Sequence, residues 1–437
     1  MKVYLISLGC AKNRVDSEVI IGNLVANEKV EITFDMGSAD LIIINTCAFI
    51  ESAKEEAINT IFEVLDTKKK RQKVMVCGCL ATRYKDEINE LIPEVDRFVS
   101  IKEYPNLKEI VNDMFKSKPF VKDVSTLNRM ITGMKESVYV KISEGCNNRC
   151  SYCAIPLIRG SFVSRNMDEI VEEVKGLIAN GAYEINLISQ DTTNYGIDLY
   201  KEYKIVELLK RVTELKGNFK VRLLYLYPSL VSDALIDFIA GCDKVYPYFD
   251  IPLQHSETKI LKSMNRRGDK EFIINLLNKI RTKIPQAILR TTMIVGFPGE
   301  EEQDFNNLVE FIKEMKFDRL GAFSYSPEED TVGASMPNQI ASNVKEARLS
   351  ALYLAQDMIA EEANSKQIGT VSEVLIVDYD AESYAYIGRN YAFAPDDIDG
   401  FIFVYSANEL KIGDVVKVKI LDASINTLSG EVIFDEA

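Results

Sequence analysis

Cys146, Cys150 and Cys153 stand together in the run VKISEGCNNRCSYC. Their C-x3-C-x2-C spacing places three thiols on one short loop. Three thiolates can each hold one iron of a 4Fe–4S cluster, whose full protein set is four cysteines. With three, one iron keeps a position open for a substrate or cofactor. Two plainer readings exist, a zinc site and a redox disulfide. Zinc sites favour paired C-x2-C units or histidine ligands, and the only histidine is His255.

A second set of three cysteines is spread over the first eighty residues. The apolar runs VYLISLGC, DLIIINTC and KVMVCGC end at Cys10, Cys47 and Cys79. Continuous β-branched runs of this kind suit a buried parallel sheet. In open α/β sheets, ligands collect at the carboxyl ends of the strands. The three thiols are therefore expected to converge at one edge, where they would hold a second cluster with an open iron. A single buried cysteine reads as packing instead. That reading is taken for Cys77, which lies inside its strand, and for Cys242, which is far from either set.

These cysteines need elements to position them. Residues 1–116 read as an α/β domain with a parallel sheet and intervening helices such as ESAKEEAINTIFEVL. A linker over 117–134 leads into residues 135–367. There the strands VYVKIS, EINLIS, KVRLLYLY, VYPYFDI, ILRTTMIVGF and RLGAFSYS alternate with amphipathic helices. Repeated βα units predict a parallel barrel, whole or partial. Functional residues gather at the carboxyl ends of such strands, and the close-set cysteines follow the first of them. Residues 368–437 read as five short alternating strands, which predicts a small antiparallel β-barrel. No P-loop is present, and no GxGxxG opens a helix. A single histidine argues against Ser-His-Asp and Cys-His hydrolases.

The chain has 437 residues, 47% of them apolar, which is ample for real cores. No segment has the apolar length needed to cross a bilayer. The opening MKVYLISLGCAKNRVDSE is too short in its apolar run for a signal peptide and lacks a small-residue cleavage site. Eight cysteines in a chain this long do not make a disulfide scaffold, so a reducing, cytoplasmic compartment is expected. The net charge is −14, and residues 368–437, with thirteen acidic and four basic residues, hold −9 of it. A surface of that sign repels a phosphate backbone and suits a basic partner. The plainer reading is an acidic surface that aids solubility.

The three parts in this order resemble the methylthiotransferases, a family of radical S-adenosylmethionine (SAM) enzymes. The last part resembles a TRAM domain. This resemblance implies two 4Fe–4S clusters and SAM as cofactors. It implies transfer of a methylthio group to an unactivated carbon, with one SAM supplying the methyl group and another the radical. Two main branches exist, one acting on a modified adenosine of tRNA and one on the β-carbon of an aspartate of ribosomal protein S-twelve. The stretches SLGCAKNRVDSE, ISQDTTNYG, RLLYLYP and APDDIDG resemble the ribosomal-protein branch. The tRNA branch typically has Gln and Met after its first cysteine.

Residue roles follow from the same resemblance. Cys146, Cys150 and Cys153 would hold the radical SAM cluster, and Cys10, Cys47 and Cys79 an auxiliary cluster that carries sulfur. Tyr152 would lie beside adenine, or else pack the loop. GAYEINLI resembles the strand that contacts the SAM amino group, through Gly181 and Glu184, although Ala182 and Tyr183 depart from the common wording. IVGFPGE, with Gly296, resembles the strand lining the adenine pocket, its glycines otherwise serving a turn. In DIPLQHS, Asp250, Gln254 and His255 would stand near SAM or the substrate, the plainer reading for His255 being a satisfied buried side chain. Arg159 and Arg165 would pair with the SAM carboxylate or the target aspartate, or else form structural ion pairs. The implied partners are S-twelve, free or in the small subunit, and an electron donor such as a flavodoxin. No membrane and no direct binding of naked nucleic acid is expected. The alternatives are a tRNA methylthiotransferase and a two-cluster electron carrier.

Overall fold

A computed structural model describes residues 1–26, 29–116 and 127–433. Five parallel strands form the first sheet: β1 (Lys2–Ser7), β2 (Glu31–Ile32), β3 (Leu41–Thr46), β4 (Lys73–Gly78) and β5 (Arg97–Val99), in the order β2-β1-β3-β4-β5. All six residues of β3, LIIINT, are buried, as expected where helices cover both faces of a sheet. The order sets β1, β3 and β4 side by side with their carboxyl ends at one edge. Cys10, Cys47 and Cys79 follow those ends directly. Cys77 is fully buried in β4 among Val3, Leu41 and Ile43. The expected linker over 117–134 lies outside the described residues from 117 to 126. Its last part is anchored by Arg129, which pairs at 2.8 Å with both Glu18 and Glu173.

The central domain contains β6 (Ser137–Lys141), β7 (Ser143–Glu144), β8 (Val163–Ser164), β9 (Glu184–Ile188), β10 (Lys220–Leu223), β11 (Tyr248–Asp250), β12 (Ile288–Val295) and β13 (Arg319–Ser324). Two parallel sheets, β10-β9-β6 and β11-β12-β13, are joined by a parallel bridge between Val221 and Val245. Six strands therefore curve in the order β6-β9-β10-β11-β12-β13. Among the described residues β13 does not pair with β6, so the barrel is partial. Its core is one cluster of aliphatic and aromatic side chains, from Val138 to Ile359. The antiparallel pair β7 and β8 brackets the close-set cysteines.

The last five strands are β14 (Val371–Asp380), β15 (Ala385–Arg389), β16 (Phe401–Tyr405), β17 (Val415–Ala423) and β18 (Thr427–Val432), closed in the order β14-β15-β16-β18-β17. Four seams are antiparallel, but β16 and β18 run parallel. This departs from a purely antiparallel barrel for a topological reason. An odd number of strands cannot alternate direction all the way around a closed ring. The barrel docks on the amino-terminal side of the central strands. Arg222 is fully buried between the rings of Tyr246 and Tyr248, bonds Glu184 at 2.9 Å, and reaches the Tyr391 carbonyl at 2.8 Å. Arg389 of the barrel holds the other oxygen of Glu184 at 3.0 Å.

Candidate active site

The edge that carries Cys10, Cys47 and Cys79 is built for close approach. Gly9 has φ +82°, and a Cβ there would stand 2.7 Å from that of Cys47. Gly78 has φ +93°, and a side chain would overlap Asn45 Oδ1 and the Thr46 carbonyl. Only glycine meets both demands. Asn13, one turn into the helix Ala11–Val25, ties the strand ends together. Its Nδ2 donates to the Leu8 and Thr46 carbonyls at 3.1 and 2.8 Å, and its Oδ1 accepts from the Cys79 thiol at 3.5 Å. Burial pushes the Cys47 thiol up, and pushes Cys79 up to about 12 even with Arg159 beside it. A thiol so placed stays protonated at neutral pH unless a metal takes the proton's place.

The second set lies on the loop between β7 and β8. Gly145 turns it with φ +73°, and a Cβ there would run into the Ser161 carbonyl. Backbone amides point at sulfur: Asn148 N–H donates to Cys146 Sγ and Ile155 N–H to Cys153 Sγ, each at 3.5 Å. Arg266 reaches Cys150 Sγ at 3.8 Å. Burial pushes Cys146 up to about 11 and Cys153 up to about 12. Asp191 fastens the loop through Asn148 at 2.8 Å. All six cysteines are free thiols. Among the described residues no three His, Cys, Asp or Glu side chains form a cage for a single ion. The cysteines of a cubane each hold a different iron and stand further apart than that. Glycine turns, free thiols and N–H groups aimed at sulfur fit a cluster on either set.

A buried ionic network joins the two sets. Arg159 follows Cys153 by six residues and crosses to the first domain. Its guanidinium meets Asp16 at 3.0 Å, Glu144 at 3.0 Å and Cys79 Sγ at 3.6 Å, and also bonds Asn13 Oδ1. Lys141 pairs with the same two carboxylates. Burial alone would raise the Glu144 carboxyl, but Lys141 and Arg159 hold it down at about 2. Beside this network Lys12 lays its ammonium over the ring of Tyr225, 3.0 Å from the centroid. Burial pulls that ammonium down to about 8, against the opposing pull of Cys10 and Asp250. The carboxyl ends of both parallel sheets thus face one cleft.

Comparison with known proteins adds three matches along the chain. Residues 2–100 match the model of an uncharacterized protein family, UPF0004. Residues 140–312 match the radical SAM superfamily and residues 368–433 the TRAM domain. The chain is 45% identical to the ribosomal protein uS12 methylthiotransferase RimO of Acetivibrio thermocellus, over 99% of this chain and 98% of that one. It is 45% identical to the protein of the same name from Aquifex aeolicus, over 98% and 97%. The chain belongs to the RimO family.

A solved structure of the radical SAM methyltransferase TsrM from Kitasatospora setae, with cobalamin and a 4Fe–4S cluster bound, is similar with a TM-score of 0.55 and 13% identity, over 85% of this chain and 80% of that one. A likeness at that identity shows the fold alone. In this RimO-family chain the remaining expected site residues divide into two groups. Tyr152 packs with Ile260, Met264, Ile294 and Phe297 beside the cysteine loop. Gln254 follows β11 with φ +77° and bonds the backbone of β12 through the Thr292 carbonyl and Ile294 N–H, both at 2.8 Å. Gly296 ends β12 with φ +74°, and a side chain there would strike Lys345. These three stand at the cleft end of the barrel. Asp250 also lies there, held by Arg290 at 2.8 Å and by the Tyr225 N–H at 2.9 Å.

Gly181 and Glu184 lie elsewhere, and their expected contact with SAM is corrected. They precede and begin β9, at the end of the strand remote from the cysteine loop, and Glu184 is consumed by Arg222 and Arg389. Gly181 serves a turn with φ +100°. Arg165 is engaged by Glu173 and the Lys141 carbonyl, each at 2.7 Å, which is the structural alternative of the two expected for it. Arg159 takes the structural alternative too, though within the cleft. His255 is fully buried, with Nδ1 accepting from Glu257 N–H at 3.0 Å and Nε2 3.5 Å from Glu300. Lys12, Asn13, Asp191 and Arg266 are residues of the site that carried no expected role. Lys12 and Asn13 follow a cysteine by two and three positions in the motif CAKN, and that adjacency was the available signal.

Proposed function

We propose that this protein is a radical SAM methylthiotransferase that adds a methylthio group to the β-carbon of an aspartate of ribosomal protein uS12, the S-twelve protein. The observation that carries this reading is the pairing of two incomplete cysteine sets across one cleft. Each set has three thiols, shaped by Gly9 and Gly78 in one and by Gly145 in the other, and Arg159 touches both halves. When bound, SAM and two clusters supply reductive bond cleavage at one side of such a cleft and a sulfur donor at the other. Cys146, Cys150 and Cys153 would hold the first cluster, and Cys10, Cys47 and Cys79 the second. Tyr152, partly exposed and backed by the buried Ile294 and Phe297, offers a face for an adenine ring. Asn13 and Arg159 fix how far apart the two cysteine sets stand.

Charge favours a protein substrate over tRNA. The barrel region 368–437 holds only Arg389, Lys411, Lys417 and Lys419 as cations, and Arg389 is buried against Glu184. A phosphate-tracking face needs a basic patch, whereas an acidic surface steers a basic protein. We assign the barrel to docking of uS12, free or in the small subunit, with a flavodoxin-like electron donor in the cytoplasm. Among the described residues no helix is long and apolar enough to cross a membrane. The test is anaerobically reconstituted enzyme given SAM, sulfide and reductant, with uS12 and tRNA offered in parallel. One methylthio group on an aspartate of uS12 alone is the expected result. Gain on tRNA alone would overturn the assignment.

A further inference from the structure

Among the described residues, Lys12 is a cation of the cleft that forms no ion pair with the ionic network, although Cys10 and Asp250 act on it at longer range. Lys12 is the second residue of the helix Ala11–Val25, whose cap is Cys10. Its side chain reaches inward and is only 8% exposed. The one contact of its ammonium in the described structure is the face of Tyr225. Among the described residues no carboxylate stands within ion-pair distance of it. The carboxylates around it are already taken. Asp16 serves Lys141 and Arg159, Glu144 serves the same two cations and Gln190, and Asp250 serves Arg290 and the Tyr225 N–H.

A largely buried ammonium carries three donors, gives up much of its hydration, and gains most from an acceptor that replaces it. An aromatic face offsets part of that cost but accepts no strong hydrogen bond. Tyr225, which supplies the face, sits at φ +63°, a strained backbone for a bulky residue of the kind that persists at ligand sites. The lysine therefore rests on a strained aromatic platform, and among the described residues no hydrogen-bond acceptor is paired with it. An anionic ligand entering between the two cysteine sets completes it.

We infer that Lys12 binds the carboxylate of the side chain to be modified and so selects an acidic residue. The inference rests on the proposed function, which makes that side chain an aspartate. The β-carbon of aspartate is bonded directly to the carboxylate carbon. Gripping the carboxylate from a position two residues beyond Cys10 fixes the reacting carbon one bond away, next to the sulfur-bearing side of the cleft. An asparagine at the same place offers one neutral oxygen and an amide that Lys12 repels. The charge-assisted hydrogen bond is then lost.

The experiment uses reconstituted holoenzyme and two forms of uS12, with Asp or Asn at the modified position. Wild-type enzyme is expected to favour the Asp form by roughly thirtyfold or more in kcat/KM, as for a buried charge pair broken on one side, with most of the difference in KM. In Lys12→Met that preference should fall to near unity, and Lys12→Arg should restore part of it. The ratio is internal to each enzyme, so reduced folding or cluster content lowers both rates alike and cancels. If Lys12→Met turns over neither form, equilibrium binding of the two forms gives the same ratio. A Lys12→Met protein that keeps the wild-type preference would overturn the inference. So would wild-type enzyme that treats both forms equally. Failure of the proposed function looks different, since wild-type enzyme would then modify neither form of uS12.

Discussion

Arg159 shows how much chemistry a single side chain can hide from sequence. Its guanidinium is 2% exposed and meets Asp16, Glu144, Asn13 and Cys79. Those partners lie 15 to 146 positions away in the chain. No local pattern announces them. The six cysteines of the two sets are the opposite case. Three are legible from their mutual spacing, and three because each ends an apolar run. Lys12 lies between these extremes, adjacent to a cysteine but given meaning only by Tyr225 from another domain. Removing one partner from a buried ion network leaves the remaining charges uncompensated, at a cost of roughly 3–5 kcal/mol. Arg159→Met should therefore lower the thermal midpoint of the metal-free protein by several degrees. Arg159→Lys, which keeps the charge but loses the fork, should fall between. An unchanged midpoint in both would remove Arg159 from the joint between the domains.

Elements were more legible than their ends. All six central strands read in the sequence appear, each as a short, mostly apolar run between helical repeats. The segment around Gly181 and Glu184 was identified as strand but given the wrong role. Strand and end look alike in sequence, and only the direction from which the cysteine loop enters tells them apart. The five barrel strands were likewise readable, whereas their single parallel seam follows from closure and leaves no mark on any one strand. At the amino end of β9, burial would raise the Glu184 carboxyl, but Arg389 and Arg222 hold it at about 2. An unfolded glutamate titrates near 4.3. The folded state binds its proton more weakly, so this group stabilises the protein above about pH 4.3. That contribution of about 3 kcal/mol disappears as pH falls from there towards 2. Urea unfolding at pH 7 and pH 3 should show wild type losing more stability than Glu184→Gln, whose carboxamide does not titrate. Equal losses would mean that Glu184 is not the acid-sensitive seam between barrel and core.

For the whole molecule, sequence indicated three parts and their order but not their mutual placement. The acidic barrel sits on the amino side of the central strands, away from the cysteine loop. The first domain presents its strand ends to the opposite, carboxyl side. This arrangement leaves the cleft between two sulfur-rich edges, and a loop of the barrel reaches the helix after Cys10, where Asp396 pairs with Arg14 at 2.9 Å. The account rests on a division of labour across that cleft, and Cys10→Ala and Cys150→Ala test it most directly. Both variants would be reconstituted anaerobically with uS12, SAM, sulfide and reductant, and scored for SAM cleavage and for methylthiolated uS12. Cys150→Ala is expected to abolish both, whereas Cys10→Ala should still cleave SAM and yield no methylthiolated product. SAM cleavage by Cys150→Ala, or methylthiolated uS12 from Cys10→Ala, would contradict that division of labour.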